Sequence, residues 1–177
     1  MEKFDLLTLG EVLLRLSPKE NKRIVRSMEF ESHVGGAELN VASGVSLLGL
    51  HTGIISKLPA NAIGELARSK VRSMNVSDDY LVWDHTEDAR LGSYFYESAT
   101  FPRKPQVVYD RKHSSITRIS IDEFPEEMYT STRCFHVSGI TLALCPEART
   151  CAVEMIKRFK QAGAMISFDV NFRLNLV

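Results

Sequence analysis

Two adjacent glycines open the stretch that most restricts what this chain can fold into. Gly35 and Gly36 stand directly before Ala37-Glu38-Leu39-Asn40; an apolar run, residues 41–48, follows, and Gly49 ends it. A Gly-Gly pair lets the main chain come closer to a neighbour than any Cβ would allow. The helix predicted over residues 37–48 turns its free N–H groups and its positive dipole end back toward the same point. Asn40, about one turn in, adds an amide that both donates and accepts. Together they suit a small, hydroxyl-rich or anionic ligand, although a plain turn before a helix has the same composition. The helix is apolar nearly all round, so it is expected to be buried on all sides.

The neighbouring segments set this unit in a parallel sheet. Residues 4–9 form a short apolar run ending at Gly10, as in a first buried strand. Gly10-Glu11 then lies at that strand's carboxyl end, where open α/β sheets bind ligands. Residues 12–16 continue as extended chain, and residues 23–33 read as a strand with one wet face. A strand over 52–58, a helix over 62–74 with Asn75 as its C-cap, and a strand over 80–83 complete the strand–helix alternation of a parallel sheet with helical crossovers.

The alternation then stops. Residues 91–97 and 106–111 are extended with no helix between them, the mark of an inserted hairpin. With 12–16 and 23–33 it would build a small antiparallel sheet off the main body. Residues 122–128 read as a short acidic helix and 133–138 as a strand ending at Gly139. A helix starts at Pro146 and runs to about Gln161, with Gly163 just past its end. A last strand, 164–168, delivers Asp169 to the same edge as Glu11.

Composition removes several function classes. Lys plus Arg and Asp plus Glu are 22 each, so the formal net charge is zero and neither nucleic acid nor an anionic membrane is an expected partner. Asp5, Glu11 and Arg15 interrupt the N-terminal apolar residues, so no signal peptide is read there. Cys134, Cys145 and Cys151 are odd in number without a C-x-x-C spacing, which points to reduced thiols in a cytoplasmic protein. The five histidines show no ligand spacing, so no metal site is assigned, and no G-x-x-x-x-G-K-[ST] loop is present. G-x-G-x-x-G is absent after the first strand, which speaks against a nucleotide-binding redox domain.

The run Gly35-Gly36-Ala37-Glu38-Leu39-Asn40-Val41-Ala42, with Gly49 and Gly64 beyond it, resembles the N-terminal signature of the ribokinase-like (PfkB) carbohydrate kinases. Leu9-Gly10-Glu11-Val12-Leu13-Leu14-Arg15-Leu16-Ser17-Pro18 and Asp169-Val170-Asn171-Phe172-Arg173 resemble the branch of that family acting on sugar acids such as 2-keto-3-deoxygluconate. The resemblance covers nearly all 177 residues. It implies a ribokinase-like α/β fold in which residues 1–177 are the N-terminal part of a single domain, with lid segments near 12–33 and 90–112. Gly35, Gly36, Ala37, Glu38 and Asn40 would line a sugar pocket, with Tyr94, Tyr109 and Arg111 contacting the sugar acid from the lid. Arg173 would stand between substrate and transferred phosphate, with Asn171 and Asp169 shaping that edge. The intact enzyme would use ATP and Mg²⁺ and pair into a homodimer through the lid. The family's Gly-Ala-Gly-Asp stretch, which supplies the catalytic base and anion hole, is absent from the sequence. The chain is therefore expected to hold the sugar-binding half, to bind no nucleotide tightly and to be inactive alone. The alternative is a non-catalytic module for sugar-acid binding or dimerisation.

Each residue also has a plainer role open to it. Tyr94 and Tyr109 suit a pleated sheet, Arg111 and Arg173 suit surface ion pairs, and Asp169 suits a local backbone cap. Glu11 can be structural, since many relatives carry Asp there. Ala60 stands where many relatives have an acidic residue, so a sugar contact from that turn is not expected.

Overall fold

The computed structural model describes residues 3–172. In chain order the elements are β1 (Phe4–Leu9), β2 (Leu13–Pro18), β3 (Phe30–Gly35), α1 (Ala37–Leu47), β4 (Thr52–Pro59), α2 (Ala62–Ser73), β5 (Ser77–Asp84), β6 (Ser93–Glu97), β7 (Gln106–Asp110), β8 (Thr132–Ser138), α3 (Gly139–Leu142), α4 (Pro146–Gln161) and β9 (Met165–Asp169). Five strands form one sheet in the order β5-β4-β1-β8-β9, every pairing parallel. The near-continuous apolar runs of β1 and β4 occupy its middle, because only a strand covered on both faces can bury every side chain.

The two faces carry separate cores. On one, Phe4, Leu7, Leu9, Phe135 and Val137 meet Ala152, Met155 and Phe159 of α4. Phe135 and Phe159 stack there with ring centres 4.3 Å apart. On the other, Ile54 and Leu58 pack under Leu39 and Ala42 of α1 and Ala67 and Val71 of α2. Capping follows the sequence closely. The Asn61 side chain accepts from the Ile63 and Gly64 N–H groups at the start of α2. Asn75 takes the left-handed conformation after its end, at φ 56°. Pro146 opens α4, and Gly163, at φ 93°, closes it.

Four expectations are revised. α1 is not buried all round: it turns Leu39, Ala42 and Ser46 inward, while Leu47 and Leu48 are more than four-fifths exposed. Residues 23–33 are not one strand. β2 pairs with β3 only as far as Pro18 opposite Phe30, so the chain before that has no ladder to join and curls into a 3₁₀ turn at Ile24–Arg26. Residues 122–128 are not a helix either: Pro125 separates two 3₁₀ turns, Ile121–Glu123 and Glu126–Thr130. Finally, the second sheet forms in the order β3-β2-β6-β7 but is mixed. β2–β3 and β6–β7 are antiparallel, while β2–β6 is parallel. The reason is topological. β2 follows β1 and β6 follows β5, two parallel strands, so both leave the carboxyl edge of the main sheet in the same direction. β3 and β7 are the return strands.

The joint between the two sheets is held by charge. Asp84, the last residue of β5, accepts from the Thr86 hydroxyl and N–H and from Arg118, which also pairs with Asp88. Burial would raise the Asp84 carboxyl, but these bonds outweigh it and bring the group down to about 2.

Candidate functional site

A cavity of about 670 Å³ lies between the four-stranded sheet and the N-terminus of α1. Strand periodicity decides which side chains it receives. Leu13 and Arg15 of β2, Tyr94 and Tyr96 of β6, and Val107 and Tyr109 of β7 share one face, two residues apart in each strand. The register sets Arg15 opposite Tyr94 and Tyr94 opposite Tyr109, a row across three strands. The Tyr94 and Tyr109 rings lie 5.7 Å apart, and Arg111 follows directly after β7. The opposite wall is Gly36, Ala37, Glu38 and Asn40, with Ile140 of α3 beside them.

Two buried carboxylates anchor this wall. Glu11 is 3% exposed; it accepts from the Ser114 hydroxyl at 2.6 Å and from the Arg111 guanidinium. Burial pushes its carboxyl above the ordinary carboxylate value, while Arg111 and Ser114 pull it down and the nearby Glu38 charge pushes it up. Glu38 is 1% exposed. Its Oε1 accepts from the Ser138 N–H at 3.1 Å, the Ser138 hydroxyl at 2.6 Å and the Thr141 hydroxyl at 2.7 Å. Its Oε2 has no hydrogen-bond donor among the described residues.

Glycines clear the space for both carboxylates. A Cβ on Gly10 would overlap the Glu38 carboxyl, one on Gly92 would overlap that of Glu11, and one on Gly36 would overlap the Glu11 main-chain carbonyl. The close approach foreseen for the glycine pair is thus made by Gly36 alone, to the chain's own backbone. Gly35, the last residue of β3, pairs with Leu13 and does not line the cavity. Asn171 lies at the carboxyl edge of β9, where its N–H donates to the Asp169 carboxylate; it does not line the cavity. Asp169 therefore caps local backbone. Arg173 lies outside the described residues.

Sequence reasoning missed Arg15, Tyr96, Val107 and Leu13 as cavity residues. For Tyr96 and Val107 the signal was available, since each stands two positions from a predicted tyrosine on the same strand face; Leu13 and Arg15 needed the register of β2 with β6. Ser114, Ser138 and Thr141 carried no local signal. A second cleft, about 770 Å³, lies between residues 118–121 and α4, on a different part of the molecule, and contains none of the predicted site residues.

Residues 3–176 match the profile of the pfkB family carbohydrate kinases. The chain belongs to the PfkB carbohydrate kinase family. A 2-dehydro-3-deoxygalactonokinase of Haloferax volcanii is 36% identical over 172 residues, covering 97% of this chain and 53% of the relative. The crystal structure of a 2-dehydro-3-deoxygluconokinase from Thermotoga maritima superimposes with a TM-score of 0.91 at 37% identity, covering 97% of this chain and 52% of that one. A PfkB family carbohydrate kinase from Listeria grayi does so with a TM-score of 0.91 at 39% identity, covering 97% and 53%. The fold is therefore ribokinase-like, and the chain spans about half the length of the relatives it matches.

Kinases of the PfkB family use ATP and Mg²⁺. The N-terminus of α1 does not suit a nucleotide phosphate. Gly36, at the start of that helix, has its open side filled by the Glu11 carbonyl, an acceptor that repels phosphate oxygen. Buried Glu11 and Glu38 add negative charge at the same helix end, cancelling its appeal for an anion. Among the described residues, no group of three or more His, Cys, Asp or Glu converges as a metal site. No described helix is long and apolar enough to cross a membrane.

Proposed function

We propose that this chain is the sugar-acid-binding part of a PfkB kinase whose intact form moves the γ-phosphate of ATP to a hydroxyl of a 2-keto-3-deoxy sugar acid. The supporting observation is the polarity of the cavity. Its α1 end offers acceptors, the Glu38 carboxylate and the Asn40 amide, which suit hydroxyl groups. Its sheet end offers guanidinium groups and tyrosine faces, which suit a carboxylate and a carbon chain. A sugar acid has the same two ends. Binding here is orientation: the acid end is held at the sheet and the hydroxyl end is directed along the carboxyl edge of the main sheet. Asn171 and Arg173 would meet the transferred phosphate at that edge. The three free thiols suit a reducing, cytoplasmic setting.

The chain alone is expected to bind the acid without turning it over. Thermal unfolding with 2-keto-3-deoxygluconate at a hundred times its Kd should show about 2.7 kcal/mol of added stability, and ATP with Mg²⁺ should add none. ADP release by the purified chain that depends on the keto acid would overturn the predicted inactivity. Failure of every sugar acid to shift the transition would overturn the sugar-binding reading.

An assembly role is a second reading. β7 is the edge of its sheet, and all five of its residues are exposed. An open edge of this kind pairs readily with another strand, so we propose a dimer through this edge. A monomer mass in light scattering would remove it.

A further inference from the structure

We propose that Arg15, and not Arg111 alone, reads the acid group of the ligand and sets this cavity's preference for acids over neutral sugars. The assignment rests on the sugar-acid reading above and comes from an account of charge. The cavity walls hold two carboxylates, Glu11 and Glu38, and two guanidinium groups, Arg15 and Arg111. Arg111 is matched by Glu11, which sits beneath it and is almost completely buried. A ligand carboxylate brought to Arg111 would meet a cation already neutralised and would approach the Glu11 charge that neutralises it. Glu38 is held by Ser138 and Thr141. That leaves Arg15 as the cavity cation without a counter-charge among the described residues.

Its surroundings suit an incoming carboxylate. The Arg15 side chain makes neither a hydrogen bond nor an ion pair among the described residues, and the Tyr96 ring lies 5.9 Å from its guanidinium carbon. Its Nε–H is buried with no acceptor. The Arg111 Nε–H is likewise unfilled, but the charge behind it is already paired. A buried donor without an acceptor is a standing cost that a ligand can remove. A carboxylate meeting Nε–H and one Nη–H side-on forms two parallel bonds, a geometry that lysine cannot reproduce. Tyr96 packs against the guanidinium and would limit its swing. Because Arg15 pairs in register with Tyr94, the acid group would sit directly beside the tyrosine row that receives the carbon chain.

Isothermal titration of the purified full chain tests this at fixed ionic strength. The probes are 2-keto-3-deoxygluconate, gluconate and, as the neutral comparison, 2-deoxyglucose. Arg15→Gln should weaken both acids at least tenfold and leave the neutral sugar and the melting temperature where they are in the parent chain. Arg15→Lys should recover part of the loss, through charge without the paired bonds. An Arg15→Gln chain that binds acids as tightly as the parent would overturn the assignment. Equal weakening of acid and neutral sugar would also overturn it, by making Arg15 a packing element beside Tyr96. A parent chain that binds no acid at all would remove the functional reading and this assignment together, an outcome separated from the others by the parent titration itself.

Discussion

Arg111→Ala is expected to destabilise this chain by about 3 to 5 kcal/mol, the range found when one partner of a buried ion pair is removed. The size follows from Glu11. Its carboxylate is 3% exposed and keeps only the Ser114 hydroxyl once the guanidinium is gone. Burial already pushes this carboxyl above its ordinary value, and Arg111 is the strongest opposing influence. Without it the carboxyl moves higher still. A carboxyl whose folded pKa exceeds its unfolded one contributes stability below the unfolded pKa and loses it as pH rises through the folded value. The deficit of Arg111→Ala should therefore be small near pH 4 and grow toward pH 8. Urea unfolding of parent and variant at both ends of that range measures it, and a deficit independent of pH would contradict the account. Arg111→Met combined with Glu11→Gln should recover much of the loss, because no charge then remains buried without a partner.

Gly36→Ala is expected to cost about 3 kcal/mol and to weaken sugar-acid binding at least tenfold, near the upper end for overpacking because the obstacle is backbone. The added methyl would overlap the Glu11 carbonyl oxygen. A side chain could turn aside; a main-chain carbonyl between β1 and β2 cannot move without carrying Glu11 and its bond to Arg111 along. The cause is steric and not conformational, since Gly36 sits at φ 164°, extended backbone open to any residue. Gly44→Ala is the control with the opposite sign. Gly44 lies inside α1, and nothing stands within 4 Å of where its Cβ would go. Alanine there should stabilise the chain by about 1 kcal/mol through helix propensity. Circular-dichroism melts of both variants decide the matter: a Gly36→Ala chain that melts with the parent would mean that the close packing of α1 on Glu11 is not what holds the cavity.

Local chemistry alone determined a large part of this protein. β1 and α4 were legible to the residue, β1 because a short, mainly apolar run ends at a glycine, α4 because Pro146 and Gly163 mark its limits. Asn75 announced the end of α2 because few residues tolerate the left-handed backbone found there. Gly36, Glu38, Asn40 and the two lid tyrosines were readable as one group from the family resemblance, and they do line one cavity, while Gly35, named with them, stays outside it. What the sequence left open was every property that depends on a distant partner. Residues 23–33 had the composition of a strand, but strand structure needs a ladder, and β2 supplies one only from Phe30 onward. The exposed side of α1 was equally hidden, because periodicity shows which residues are apolar and not whether anything covers them. Glu11 and Arg111 stand 100 positions apart, as do Glu38 and Ser138. The placing of the small sheet over the edge of the large one brings the first pair together, and the packing of α1 beside the end of β8 brings the second; only that arrangement shows that Arg111 is matched while Arg15 is not. Short-range propensity and period act over a few residues, whereas the balance of charge in a cavity is set by which segments the topology makes neighbours.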